Sequence, residues 1–127
     1  MLVSPDLLVA LPEALRPHVE HQLSLLAEAL QERAVSVQLD AEQQQQLVTV
    51  VTASDYVAAQ LQRHPQLLAD LLASGDLHRS YADNDYAQRL QAALEPISDD
   101  ATLSKTLRQI RRREMIRIIW RDTTGLA

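Results

Sequence analysis

The stretch "TLRQIRRREMIRIIWRD", residues 106–122, sets six arginines on one segment and threads them with Met115, Ile116, Ile118, Ile119 and Trp120. Ser98-Asp99-Asp100 just upstream supplies a cap and first-turn acids, which predicts one long helix over about 99–122. On a helical wheel Leu103, Leu107 and Ile110 share a face, and Glu114, Arg117 and Arg121 continue it; Arg108 and Arg112 fall roughly opposite. The first half is therefore amphipathic, whereas the second half is apolar nearly all round with charges inside the pattern. A helix of that kind is covered by several neighbours, so this stretch points to an all-α domain in which the arginine-rich helix is embedded.

Three roles suit such a helix: a grip on nucleic acid, a catalytic basic cluster, or a packing and docking element. Phosphate binding favours basic residues on one exposed face with aromatic stacking platforms. Here the arginines point several ways and Trp120 is the one aromatic nearby, which argues against nucleic acid. The packing role is preferred. Glu114, Arg117 and Arg121 are read as a partly buried ion-pair network that sets helix register, since buried charges need partners to offset desolvation. On this reading Arg117→Ala should destabilise the chain by about 2–4 kcal/mol. Met115, Ile116, Ile119 and Trp120 are read as a candidate interface, too many apolar groups for one small bundle to cover. Weak self-association through residues 115–126, with Trp120 near the contact, is expected from such a patch.

Working back along the chain, the other helices announce themselves by caps and periodicity. Ser4-Pro5-Asp6 starts a short helix that Pro12 and Pro17 interrupt. Val19, Leu23, Leu26, Ala27 and Leu30 give one apolar stripe from Pro17 to about Ala34. Asp40 caps a helix over about 41–52 with Leu47, Val50 and Val51 inward, and the glutamines 43–46 are read as a solvated face. Ser54 caps a fourth, His64-Pro65 ends it and starts a fifth carrying Leu67, Leu68, Leu71 and Leu72, and Gly75 closes that helix. Residues 76–83 read as a loop, and 84–94 as a helix with Tyr86, Leu90 and Leu94 on one side. The sum is a single domain, 1–127, of six or seven helices.

Composition agrees. The chain has 127 residues, two glycines, no phenylalanine and no cysteine, so few tight turns, no disulfide framework and no thiolate metal site are available. Lack of cysteine fits a cytoplasmic protein. No apolar run approaches the ~20 residues needed to cross a bilayer, and no signal peptide is read. Net charge is −5, but unevenly placed: residues 1–104 carry five basic and fifteen acidic groups, residues 105–127 seven basic and two acidic. The basic helix is thus poised either against its own acidic body or toward a partner.

Two motifs carry a family resemblance. "SDYVAAQLQRHPQLLADLLASGDL" (54–77) and "LRQIRRREMIRIIWRDTTGLA" (107–127) closely resemble the N-terminal region of the bifunctional glutamine synthetase adenylyltransferase/adenylyl-removing enzymes. The family pattern Leu-Arg-x-x-Arg-Arg-Arg-x-Met-x-Arg-Ile-x-Trp falls in register on Arg111, Arg112, Arg113, Met115, Arg117, Ile118 and Trp120. The match runs from about residue 40 to the end. The resemblance implies a long parent enzyme of two fused nucleotidyltransferase units that remove AMP from, and attach AMP to, glutamine synthetase in nitrogen regulation. It implies Mg²⁺ and ATP as that parent's cofactors, and glutamine synthetase, the PII signalling protein and the remainder of the parent as partners. It places this chain at the start of the adenylyl-removing half.

The chemistry of nucleotidyl transfer is not found here. That reaction wants a Gly-rich phosphate turn and an Asp-x-Asp pair for Mg²⁺ on a β-sheet. Gly75 and Gly125 are far apart, and Asp83-Asn84-Asp85, the one Asp-x-Asp, reads as a helix start. His18 and His21 share a helix face, but no third ligand joins them at a recognisable spacing. No catalytic, cofactor-binding or metal-ligating residue is therefore assigned, and the chain alone is expected to be inactive. The alternative is a free-standing all-helical protein-interaction domain.

Overall fold

The computed structural model describes residues 2–79 and 85–126, with the side chain of Asp85 left aside. Helix starts follow the polar caps. Asp40 accepts from the Gln43 N–H at 2.7 Å while the Asp40 N–H donates to Gln43 Oε1 at 3.0 Å, a reciprocal box that fixes the start of one helix. Ser54 Oγ accepts from Val57 N–H, and Asp99 Oδ2 accepts from Thr102 N–H at 2.8 Å. Helix ends use the left-handed region: Gly75 at φ 74° and, less comfortably, Ala34 at φ 53°. Asp83 and Asn84 of the sequence's Asp-x-Asp lie outside the described residues.

Seven α-helices result among the described residues, with no strand: α1 (Pro5–Val9), α2 (Arg16–Glu32), α3 (Ala41–Ala53), α4 (Asp55–Arg63), α5 (Gln66–Ser74), α6 (Asp85–Leu94) and α7 (Asp100–Thr123). A 3₁₀ turn, Asp76–His78, follows α5 inside the segment expected to be a loop. The α2 stripe of Val19, Leu23, Leu26 and Leu30 is buried against α3 and α4, which contribute Leu47, Val50, Val51, Val57 and Leu61. Leu68 and Leu71 of α5 and Leu77 of the turn extend this core.

The long helix behaves as two segments. From Asp100 to Arg111 no residue is fully buried, and α7 packs on α6, in which no described side chain is fully buried. From Ile116 onward α7 enters the core between α3, α4 and the 3₁₀ turn, and Ile116 and Trp120 have no exposed surface. One glutamine departs from the expected solvated face. Gln46 is buried, and its Oε1 accepts the Trp120 indole N–H at 3.1 Å. A fully buried indole needs an acceptor, and the facing helix supplies it. Gln44 is likewise recruited: its Oε1 accepts from Ser4 N–H at 2.8 Å, tying α1 to α3.

Candidate functional site

At the end of α5, Gly75 reverses the chain and the 3₁₀ turn carries Asp76 inward, leaving that carboxylate 2% exposed. Three arginines surround it. Arg113 donates to Oδ2 at 2.7 Å, Arg89 of α6 donates to the same oxygen at 3.2 Å, and Arg79 lies 3.4 Å from Oδ1. Oδ1 has no hydrogen bond among the described residues. Burial opposes ionisation of Asp76. The Arg113 hydrogen bond and the charges of Arg113, Arg89 and Arg79 outweigh it, holding the carboxyl below its usual value.

The same turn is gripped through its backbone. Arg113, Arg117 and Arg121 recur every fourth residue, so they stand on one side of α7, one turn above another. Arg117 Nε donates to the Asp76 carbonyl at 3.1 Å, and a second nitrogen donates to the Arg79 carbonyl. Arg121 donates to the Leu77 carbonyl at 2.9 Å and to the Leu126 carbonyl at 2.8 Å. Arg117 and Arg121 thereby donate to carbonyls of the turn and its flanks, the Asp76 carbonyl accepting the Arg79 N–H at 3.3 Å as well. The result is a ladder of three arginines clamped on a buried turn.

The expected network of Glu114, Arg117 and Arg121 takes a different form. Glu114 and Arg117 pair at 2.9 Å, with Arg117 only 5% exposed. Arg121, 8% exposed, meets the two carbonyls just named, and the carboxylate at the centre of the cluster is Asp76. Asp76 is not legible in the sequence because its hydrogen-bonded arginines, Arg89 and Arg113, lie 13 and 37 residues away. The local signal was an acid just after a helix-closing glycine.

The expected interface is corrected more strongly. Ile116 and Trp120 are fully buried within this chain, and Ile119 is half-buried against the core. Of the four named residues only Met115 is exposed, at 49%, and Ile118, previously set apart, joins it at 44%. Self-association built on Trp120 loses its anchor. The face that remains open is Arg108, Arg111, Met115, Ile118 and Asp122, spaced by three and four residues along one side of α7.

Elsewhere, His18 and His21 are both exposed, and His18 Nε2 meets Asp55 Oδ1 at 2.9 Å. Among the described residues no group of three or more His, Cys, Asp or Glu is arranged to hold a metal. Among them, too, no helix is long and apolar enough to cross a membrane. A cleft of about 300 Å³ opens between α5 and α7, lined by His64, Gln66, Asp70, Gln109, Arg112 and Arg113 among others. Arg112 is half-buried there, not on the solvent side that the wheel assigned to it.

Comparison with known proteins fixes the context of this arrangement. The family model for glutamate-ammonia ligase adenylyltransferase matches residues 44–127, from the start of α3 through the arginine ladder. The bifunctional glutamine synthetase adenylyltransferase/adenylyl-removing enzyme of Nitrosococcus oceani is 38% identical over 117 residues, covering 92% of this chain and 12% of that protein. The enzymes of the same name from Pseudomonas putida and Pseudomonas aeruginosa are 34% and 35% identical, over 92% and 94% of this chain and 12% and 13% of their own lengths. The chain thus spans about an eighth of the curated relatives it matches. No solved structure matches it. With more than half its length inside the family model, and the Asp76 turn and its arginine ladder within that half, the chain belongs to the glutamate-ammonia ligase adenylyltransferase family.

Proposed function

We propose that this chain is the non-catalytic helical N-terminal part of a bifunctional enzyme that adds AMP to, and removes AMP from, glutamine synthetase. Its role is to support the adenylyl-removing half of that enzyme, whose Mg²⁺ and ATP chemistry lies on a nucleotidyltransferase domain outside these residues. The carrying observation is how the arginines of the family motif are used. Arg113 and Arg117 of the motif, with Arg121 just beyond it, are engaged with Asp76, with Glu114 and with backbone carbonyls, a structural use that holds the long helix at a fixed angle. A helix held that rigidly displays Arg108, Arg111, Met115 and Ile118 as a fixed edge, apolar in its middle and basic at one end. We assign that edge to the remainder of the parent protein. PII and glutamine synthetase itself are further partners on this reading, in a cytoplasmic enzyme.

The test has two arms. The purified 127-residue chain should release no AMP from adenylylated glutamine synthetase in the presence of phosphate; measurable release would overturn the non-catalytic assignment. In the second arm the chain is mixed with a relative lacking its matching region. Binding should occur and should be lost with Met115→Glu or Ile118→Glu, both surface changes. Binding that ignores these substitutions would remove the docking role from this edge.

A further inference from the structure

Arginine gathers at two places beside α7, and they differ in counter-charge. At Asp76 three guanidiniums share one buried carboxylate. At His64 the positive groups gather with no buried carboxylate among them, and Asp70 on the cleft wall makes no ion pair with Arg112, Arg33 or Arg63. Burial and the charges of Arg112, Arg33 and Arg63 all hold this imidazole below its ordinary value of 6.5. Among the described residues none of those three arginines has a carboxylate within ion-pair distance. Arg33 and Arg63 are exposed, so the uncompensated charge falls mainly on the half-buried Arg112, where an anion is favoured.

We propose that the cleft between α5 and α7 binds a small dianion of the phosphate class, free or as a phosphomonoester, seated between His64 and Arg112. The cleft, about 300 Å³, has room for such a group with some of its water. The Arg112 guanidinium offers a planar pair of N–H donors that matches two phosphate oxygens. Gln66 and Gln109 on the walls offer amide N–H groups, which suit an oxyanion without adding charge. Binding favours a proton on His64, because a dianion offsets the repulsion from Arg112, Arg33 and Arg63 that lowers the ring's pKa. Asp70, on the α5 wall, opposes the ligand and limits its affinity.

The test is a titration of the whole 127-residue chain with inorganic phosphate, with glycerol phosphate and with sulfate, at constant ionic strength. The ring resonances of all four histidines are followed by NMR. Sulfate serves as a dianion that does not titrate near neutral pH. Saturable movement of His64 alone, with a rise in its pKa, supports the site; His18, His21 and His78 report general ionic effects. Equal response to free phosphate and the ester marks the phosphate group itself as the ligand, and preference for the ester places the organic moiety in the cleft. Arg112→Gln should weaken binding by about tenfold, and Asp70→Asn should strengthen it several-fold. Asp70 is exposed, so its variant keeps the fold and decides the matter even if Arg112→Gln does not. No saturation at His64, or the same movement at every histidine, or no gain from Asp70→Asn, would overturn the proposal.

Discussion

The two halves of α7 share one continuous backbone, and the distal half, residues 112–123, carries the more charge, six groups against four, yet it is the half that leaves water. Residues 100–111 lie on α6 with every side chain at least partly wet. Residues 113–121 are wedged between α3, α4 and the 3₁₀ turn, with two arginines as buried as many leucines. Charge content therefore does not decide which part of a helix is surface. What decides it is whether acceptors wait on the other side. The distal arginines find Asp76 and four backbone carbonyls; Arg108 and Arg111 face water.

The sharpest way to break this contrast is Trp120→Ala. It removes the largest fully buried side chain and leaves Gln46 Oε1 without its donor. A loss of about 3–5 kcal/mol is expected, read from the urea midpoint. Next comes Arg117→Ala, which removes the side-chain donor to the Asp76 and Arg79 carbonyls and to the Glu114 carboxylate together. Its expected loss is about 2–4 kcal/mol, and an unchanged midpoint would make Arg117 a ligand-binding side chain rather than a structural one.

Asp76→Asn is expected to lose about 2–3 kcal/mol at neutral pH, lessened because its arginine partners reach water. It also has a pH signature. The Asp76 carboxyl titrates lower in the fold than its ordinary 3.8, so between those two values the unfolded chain binds more protons than the native one. The stabilisation is complete above 3.8 and is lost as pH falls through the lowered value. The wild-type chain should thus show an acid-unfolding limb that Asp76→Asn flattens. The smallest effect belongs to the proximal half. Leu103→Ala, at a half-exposed position, should change stability by less than about 1 kcal/mol. A loss equal to that of Trp120→Ala would erase the distinction between the halves.

Local rules carry the reading a long way here. Asp40, Ser54, Asp99 and Gly75 end or start helices where the sequence places them, because a cap is settled within four residues. The 3.6-residue stripe of α2 is equally local. Asp76 is legible only once α6 and α7 are folded back over it. Gln46 is hidden by its neighbours, since a run of four glutamines suggests solvent, and its role depends on an indole 74 residues away. Trp120 and Ile116 were misplaced for a related reason. A wheel counts apolar faces, but it does not know that α3, α4 and the turn approach from three sides. One clue was present: a tryptophan in an all-helical core demands an acceptor, and a polar run on a neighbouring helix is where to look.

The bond from Gln46 to Trp120 also sets a timetable. Helices α2 to α4 leave the ribosome long before the residues that fill the gap between them. At roughly 5–20 residues per second, the 74 residues separating the two partners take about 4–15 s to synthesise. For that interval Gln46 lacks its indole donor, and the faces of α3 and α4 that α7 covers wait for Ile116 and Trp120. This helical unit closes much as a vault does, by its last stone, and whatever shields the unfinished face in the cell has a window of seconds in which to do so.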